Sequence, residues 1–171
     1  MIPVIKHSIR FILFVFVQAL IFNQLEIGWG IQFMIYPLFI FMLPWEMNVF
    51  LVMLVSFLLG VSIDSISNTY GLHASSAVMV AYLRPYIFKM FEPRDGYEAG
   101  PELTYHNMDF RWIISVQGLL LCIHHLWFFL VEIFKFNEVL YILQKTLLSV
   151  PASFVLCMLI QMVFIKKNNA R

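Results

Sequence analysis

Runs of apolar residues separated by short polar breaks constrain this chain more than any other feature. A helix that crosses a bilayer needs ~20 mostly apolar residues at 1.5 Å each. Six candidates follow one another, at about 8–27, 31–43, 47–63, 71–90, 111–134 and 139–165. The whole chain of 171 residues is 61% hydrophobic and only 12% charged, whereas a soluble domain is about half apolar and about a quarter charged. A surface that poor in charge needs lipid as its solvent. The expected fold class is therefore all-α: an integral membrane bundle of six transmembrane helices, forming one domain over 1–171. Net charge is +1, and no basic stripe with interleaved aromatics marks a nucleic-acid surface, so no nucleic-acid partner is expected.

Local signals refine the spans. The second stretch is short, and Pro37 is expected to kink it. Gly28-Trp29-Gly30 and Pro44-Trp45-Glu46 supply turns, and a polar link is expected from Asp64 to Thr69. Pro85 and Pro151 fall inside the fourth and sixth spans. The basic start at Lys6 and Arg10 followed by apolar residues resembles a signal peptide. No small-x-small cleavage site follows it, and the segment is read as a retained first helix. The one long polar segment, at about 91–110, holds Glu92, Asp95, Glu98, Glu102 and Asp109 with Gly96, Gly100, Pro93 and Pro101. It reads as an irregular, solvated connection, with an additional cytoplasmic contact as the other reading. Lys and Arg set orientation. With both termini and the acidic loop cytoplasmic, Lys6, Arg10, Lys89, Arg94, Arg111, Lys166, Lys167 and Arg171 lie inside, and Lys135 lies outside.

Ionisable groups within a span are costly and mark candidate sites. Ser56, Gly60 and Asp64 recur every fourth residue on the third span, facing a small-residue set of Ala74, Ala77 and Ala81 on the fourth. Such faces let helix backbones approach closely, and Asp64 is placed to cap the start of the fourth span. His73 lies at the same depth. Two readings stand for Arg84: snorkelling to the interface or a buried structural pairing. Gln117 sits at a similar depth on the fifth span. His124 and His125 are adjacent, so they point about 100° apart on a helix and poorly suit one metal. Interhelical hydrogen bonding is expected instead. Glu132 and Lys145 are placed to pair at the rim of the last hairpin. Ser75 and Ser76 beside His73 are the nearest approach to a catalytic couple. Cys122 and Cys157 form no CxxC motif. No cofactor is implied, and the chain is not expected to be an enzyme.

The stretch Phe57-Leu58-Leu59-Gly60-Val61-Ser62-Ile63-Asp64, followed by Gly71-Leu72-His73-Ala74 and Val80-Ala81-Tyr82-Leu83, resembles the MreD family of rod-shape-determining membrane proteins. Length, six spans and a short proline-bearing second span fit the same layout. The resemblance carries the family motif onto Gly60, Asp64, Gly71 and Leu72. It implies a non-enzymatic scaffold in the bacterial inner (cytoplasmic) membrane that binds an MreC-like protein. Through it the chain would act with an MreB-like cytoskeleton, a RodA-type polymerase and a class B penicillin-binding protein in lateral peptidoglycan synthesis. The long acidic loop departs from the shorter loops of many members. The family layout is also similar to that of the S components of energy-coupling-factor transporters. A small-molecule-binding subunit is therefore the alternative, with His124, His125 and Gln117 as its midplane polar groups. The first span lacks the small residues spaced by four that S components often use for docking.

Overall fold

A computed structural model describes residues 2–25, 28–97 and 102–164. Among these residues the secondary structure is helical, without strands. The α-helices are α1 (Ile2–Leu20), α2 (Pro37–Met42), α3 (Val49–Ser67), α4 (Leu72–Met90), α5 (Phe110–Ile133) and α6 (Val139–Phe164). The segments Val4–Gln24, Val49–Ser67, Phe110–Ile133 and Val139–Phe164 are long and apolar enough to cross a membrane. Their outward faces are oily: Ile9, Leu13 and Phe16 on α1, Phe50, Leu54 and Phe57 on α3, and Leu147, Val155 and Leu159 on α6 are all exposed. These side chains suit a lipid environment. The remaining long helix, α4, is less apolar for a physical reason. It packs against α3, α5 and α2 and buries His73, Ser76 and Arg84 among its alanines, so much of its surface answers to the neighbouring helices.

The second stretch departs from expectation. Residues 31–35 are not helical, and α2 is only 6 residues long. Pro37 does not kink a helix; it begins one, at the first position, where a missing N–H leaves nothing unsatisfied. The segment still passes from one end of the bundle to the other. At its start Gly30 lies against Tyr141 and Lys145 of α6. At its end Phe41 packs on Phe88 and Trp112, at the far ends of α4 and α5. Five non-helical residues, 31–35, and the helical backbone from Tyr36 to Met42 can reach ~28 Å, close to the thickness of a hydrocarbon core.

Non-helical backbone at that depth needs partners from within the protein, and side chains supply them. Gln18 of α1, fully buried, accepts from the Ile35 N–H (2.8 Å) and the Tyr36 N–H (3.4 Å), and donates to the Phe33 carbonyl (2.9 Å). From the other side α6 contributes two hydroxyls. Ser149 accepts from the Gln32 N–H (3.1 Å) and Ser153 from the Met34 N–H (3.0 Å). His125 of α5 holds the Ser153 hydroxyl at 3.0 Å. Every residue from Met34 to Leu43 is buried.

Arg84 closes the other half of this crossing. It does not snorkel. Only 2% of it is exposed, and its guanidinium donates to the carbonyls of Phe41 and Pro44 (each 3.4 Å) and of Leu43, with the Phe88 ring 4.5 Å away. Those of Phe41 and Leu43 are carbonyls left at the C-terminal end of α2, where the helix dipole favours a cation.

The polar link between α3 and α4 is also shorter than expected. Asp64 to Ser67 remain helical, and the turn is confined to Asn68–Gly71. Glu98, Gly100 and Pro101 of the acidic loop, and Lys166, Lys167 and Arg171 of the tail, lie outside the described residues. The described part of the loop is docked and not merely solvated. Tyr97 donates to the Phe88 carbonyl (2.6 Å), and Trp112 donates to that of Phe91 (2.8 Å). Leu103 and Thr104 are buried, and the Tyr105 N–H donates to Gln161 (3.0 Å). Glu102 accepts from Lys6 and Arg10 of α1, each at 2.8 Å. The first turns of α1, the last turns of α6 and the loop therefore share one end of the bundle, here called the loop end.

Two outcomes follow. Gln18→Leu removes the partner of two buried N–H groups, the Phe33 carbonyl and the Asn23 side-chain carbonyl and is expected to cost about 2–4 kcal/mol, read as a lowered unfolding midpoint in detergent; an unchanged midpoint would remove Gln18 from this account. Burial alone would raise the Glu102 carboxyl, but hydrogen bonds from Lys6 and Arg10 and their charges hold it below its usual value. A carboxyl with a lowered folded value stabilises fully above its unfolded value and loses that contribution as pH falls through the lowered one. Glu102→Gln should therefore increase cleavage of the 91–109 loop by added protease at pH 7. The same loosening should appear in the wild-type chain only below the ordinary carboxylate range, pH ~4.

Candidate functional site

The end of the bundle opposite the loop gathers most of the intramembrane polar groups around the α3–α4 turn. Close approach comes first. A Cβ on Gly60 would sit 2.3 Å from the Ala74 Cα and 2.5 Å from its nitrogen, so only glycine lets α4 start where it does. Ser56, Gly60 and Asp64 are buried along one face of α3, against buried Ala74, Ala77 and Ala81 of α4. The turn itself needs left-handed backbone at Gly71 (φ +92°), which glycine adopts without strain.

Asp64 then locks the hairpin. One carboxylate oxygen accepts from the Thr69 hydroxyl (2.5 Å), the His73 N–H (3.1 Å) and the His73 Nδ1 (3.0 Å); the other accepts from the Ala74 N–H (2.9 Å). His73 and Ala74 are the second and third residues of α4, so their N–H groups are among the orphan donors of a helix start. The chain supplies no local side-chain cap there. Asp64, reaching across from the preceding helix, does the capping, in the position where the dipole stabilises an anion.

The network continues inward. His73 Nε2 lies 3.3 Å from the Asn23 amide nitrogen, which donates to Ser67 (2.8 Å), while the Asn23 carbonyl accepts from Gln18 (2.8 Å). Tyr36, fully buried, joins His124 Nε2 at 2.5 Å and reaches the His73 carbonyl at 3.4 Å. The hairpin lock and the non-helical crossing are thus one hydrogen-bonded body. Leu72 places its carbonyl to accept from Ser75 (3.0 Å) and Ser76 (2.8 Å). Those hydroxyls therefore turn to their own helix and not to His73, which removes them as its catalytic couple.

Other singled-out residues fall elsewhere. Gln117 accepts from Gln161 (2.7 Å) between α5 and α6, far from Arg84 in bonding terms. His124 and His125 diverge, one to Tyr36 and the other to Ser153. Glu132 and Lys145 pair at 2.8 Å as expected at the rim of the last hairpin, with Glu132 exposed and Lys145 buried, 4.5 Å from the Phe129 ring. Among the described residues no three His, Cys, Asp or Glu side chains gather as a metal set would require. Gln18, Asn23, Tyr36, Thr69, Ser149 and Ser153 complete the site and were not singled out from sequence. Gln18 alone in an apolar run, and the four-residue spacing of Ser149 and Ser153, were the available signals.

A cleft of about 350 Å³ opens beside this network, walled by Phe22, Phe33, Gln32, Phe128 and Glu132 and floored by Thr69 and His73.

Gly60→Leu is expected to abolish folded yield, because backbone and not a flexible side chain occupies the space. Asp64→Ala should lower the unfolding midpoint by the equivalent of about 2–4 kcal/mol, and Asp64→Asn, which keeps one acceptor oxygen, should fall between; wild-type stability in Asp64→Ala would show that the lock is dispensable. Searches of protein-family models, curated proteins and solved structures returned no match to this chain.

Proposed function

We propose that this chain is a non-enzymatic membrane scaffold of the MreD type, holding an MreC-like partner within a bacterial inner membrane and helping to organise lateral peptidoglycan synthesis. One observation carries the reading. The four positions of the family resemblance, Gly60, Asp64, Gly71 and Leu72, converge on a single structural device: close helix approach, cross-helix cap and turn. A motif whose charged group is saturated by structural hydrogen bonds maintains a shape, and a scaffold works through shape. The six passages through the bundle, one of them half unwound, also suit the layout shared with transporter S components.

Charge supplies the orientation. Lys6, Arg10, Lys89, Arg94 and Arg111 all belong to the loop end, whereas the opposite end holds Lys135 and the neutralised pair Lys145–Glu132. Cytoplasmic loops carry the excess of Lys and Arg, so the loop end, with both chain ends, faces the cytoplasm.

Crosslinking in living cells followed by affinity purification of the tagged chain tests the function. Recovery of an MreC-like protein with wall-elongation enzymes is the expected outcome. Recovery of an energy-coupling transmembrane subunit with its ATPases would replace the scaffold by a transporter component. Reporters fused near Gly96 and at the carboxyl terminus should both read cytoplasm; a periplasmic signal at either would overturn the orientation.

A further inference from the structure

The chain goes to some trouble to keep residues 31–35 from becoming helix. A regular helix would satisfy its own backbone, yet here Gln18, Ser149 and Ser153 are placed to do so instead. The consequence is a wall. The non-helical strand of chain from Gly30 to Met34 forms one side of the 350 Å³ cleft, at the end of the bundle away from the acidic loop. That volume lies within the range of small-molecule sites, and the lining divides about evenly between apolar and polar residues.

We propose that this cleft binds a small, uncharged, flat molecule that carries N–H donors. Three features of the lining select that chemistry. First, the walls are aromatic: Phe22 and Phe33 stand with ring centroids 6.0 Å apart, and Phe128 meets the His73 ring at 5.0 Å. Such faces favour an offset or edge-on ring. Second, acceptors are held ready. The Glu132 carboxylate, fixed by Gln32 (3.3 Å) and Lys145 (2.8 Å), uses one bond at each oxygen and keeps further lone pairs for a donor. Third, charge is balanced. No Lys or Arg is among the described lining residues, so an anion meets a carboxylate without a free cation. A cation meets a carboxylate already neutralised by Lys145. An uncharged donor meets neither obstacle. The site stands on the cleft alone and does not rest on the scaffold reading; purified protein tests it whatever partner the chain has.

Benzamide serves as the probe, with benzoate as its anionic match, on the full chain in nanodiscs. At about ten times its dissociation constant, benzamide should raise the unfolding midpoint by ~3–6 °C, and benzoate at the same concentration should not. Gln24 is exposed at the mouth of the cleft. Gln24→Trp should block the cleft and abolish the shift, while Gln24→Ala should retain it. Equal shifts from both probes, a shift that survives Gln24→Trp, or no shift in the wild-type chain at saturating benzamide would each overturn the proposal.

Discussion

Backbone satisfaction inside the bundle is the constraint on which the rest of this structure depends. A crossing that is helical over only half its length leaves N–H and C=O groups that its own backbone does not pair and that need partners from within the protein. Three elements answer that need from three directions: Gln18 from α1, Ser149 and Ser153 from α6, and Arg84 from α4. Each donor or acceptor is matched to the half it serves. Amide and hydroxyl oxygens accept from the non-helical N–H groups, and the guanidinium donates to the carbonyls at the end of α2. The packing order follows. Helices α1, α4, α5 and α6 surround the broken segment because each has a polar group or an aromatic face that it requires.

The same argument explains why buried charge is tolerated without opposite charge nearby. Arg84 has carbonyl partners and an aromatic face in place of a carboxylate. Asp64 has two backbone N–H groups, a hydroxyl and an imidazole. Both sit at helix ends where the dipole has the complementary sign. Their separation along the bundle is therefore no loss: each is compensated locally, Asp64 at the start of α4 and Arg84 at the end of α2.

Five of the helices were legible in the sequence because apolar runs of membrane length leave little choice, and their ends fall within a few residues of the polar breaks, apart from the start and end of α1 and the extension of α3. The second was not. Its composition is as apolar as the others, and Pro37 within the run reads as a kink, whereas it stands at a helix start. What decides between them is Gln18, Ser149 and Ser153, distant in sequence and informative only once the chain is folded. Asp64 was placed correctly at a helix start, yet the polar residues after it suggested a turn that α3 in fact continues through to Ser67. Helical Ser65 returns its hydroxyl to the Val61 carbonyl (2.7 Å), a bond that lets a polar residue stay in a helix. The acidic loop misled for a related reason. Its carboxylates are numerous, but Glu102 is anchored by α1, a contact no local pattern announces.

Apolarity along this chain tracks how little of each long helix the rest of the chain covers. The least apolar of the long helices, α4, is the one most enclosed by others. Its alanines permit close approach, and its His73 and Arg84 are spent on the cap and on the carbonyls of α2. The outer helices α1 and α6 are oily where the rest of the chain leaves them uncovered, and Gln18, Ser149, Ser153 and Gln161 are polar residues that they turn inward. His73 belongs both to the hairpin lock and to the floor of the cleft. An occupant that reaches this floor would meet the residue that ties the start of α4 to the non-helical crossing, which links the cleft to the rigidity of this end of the bundle.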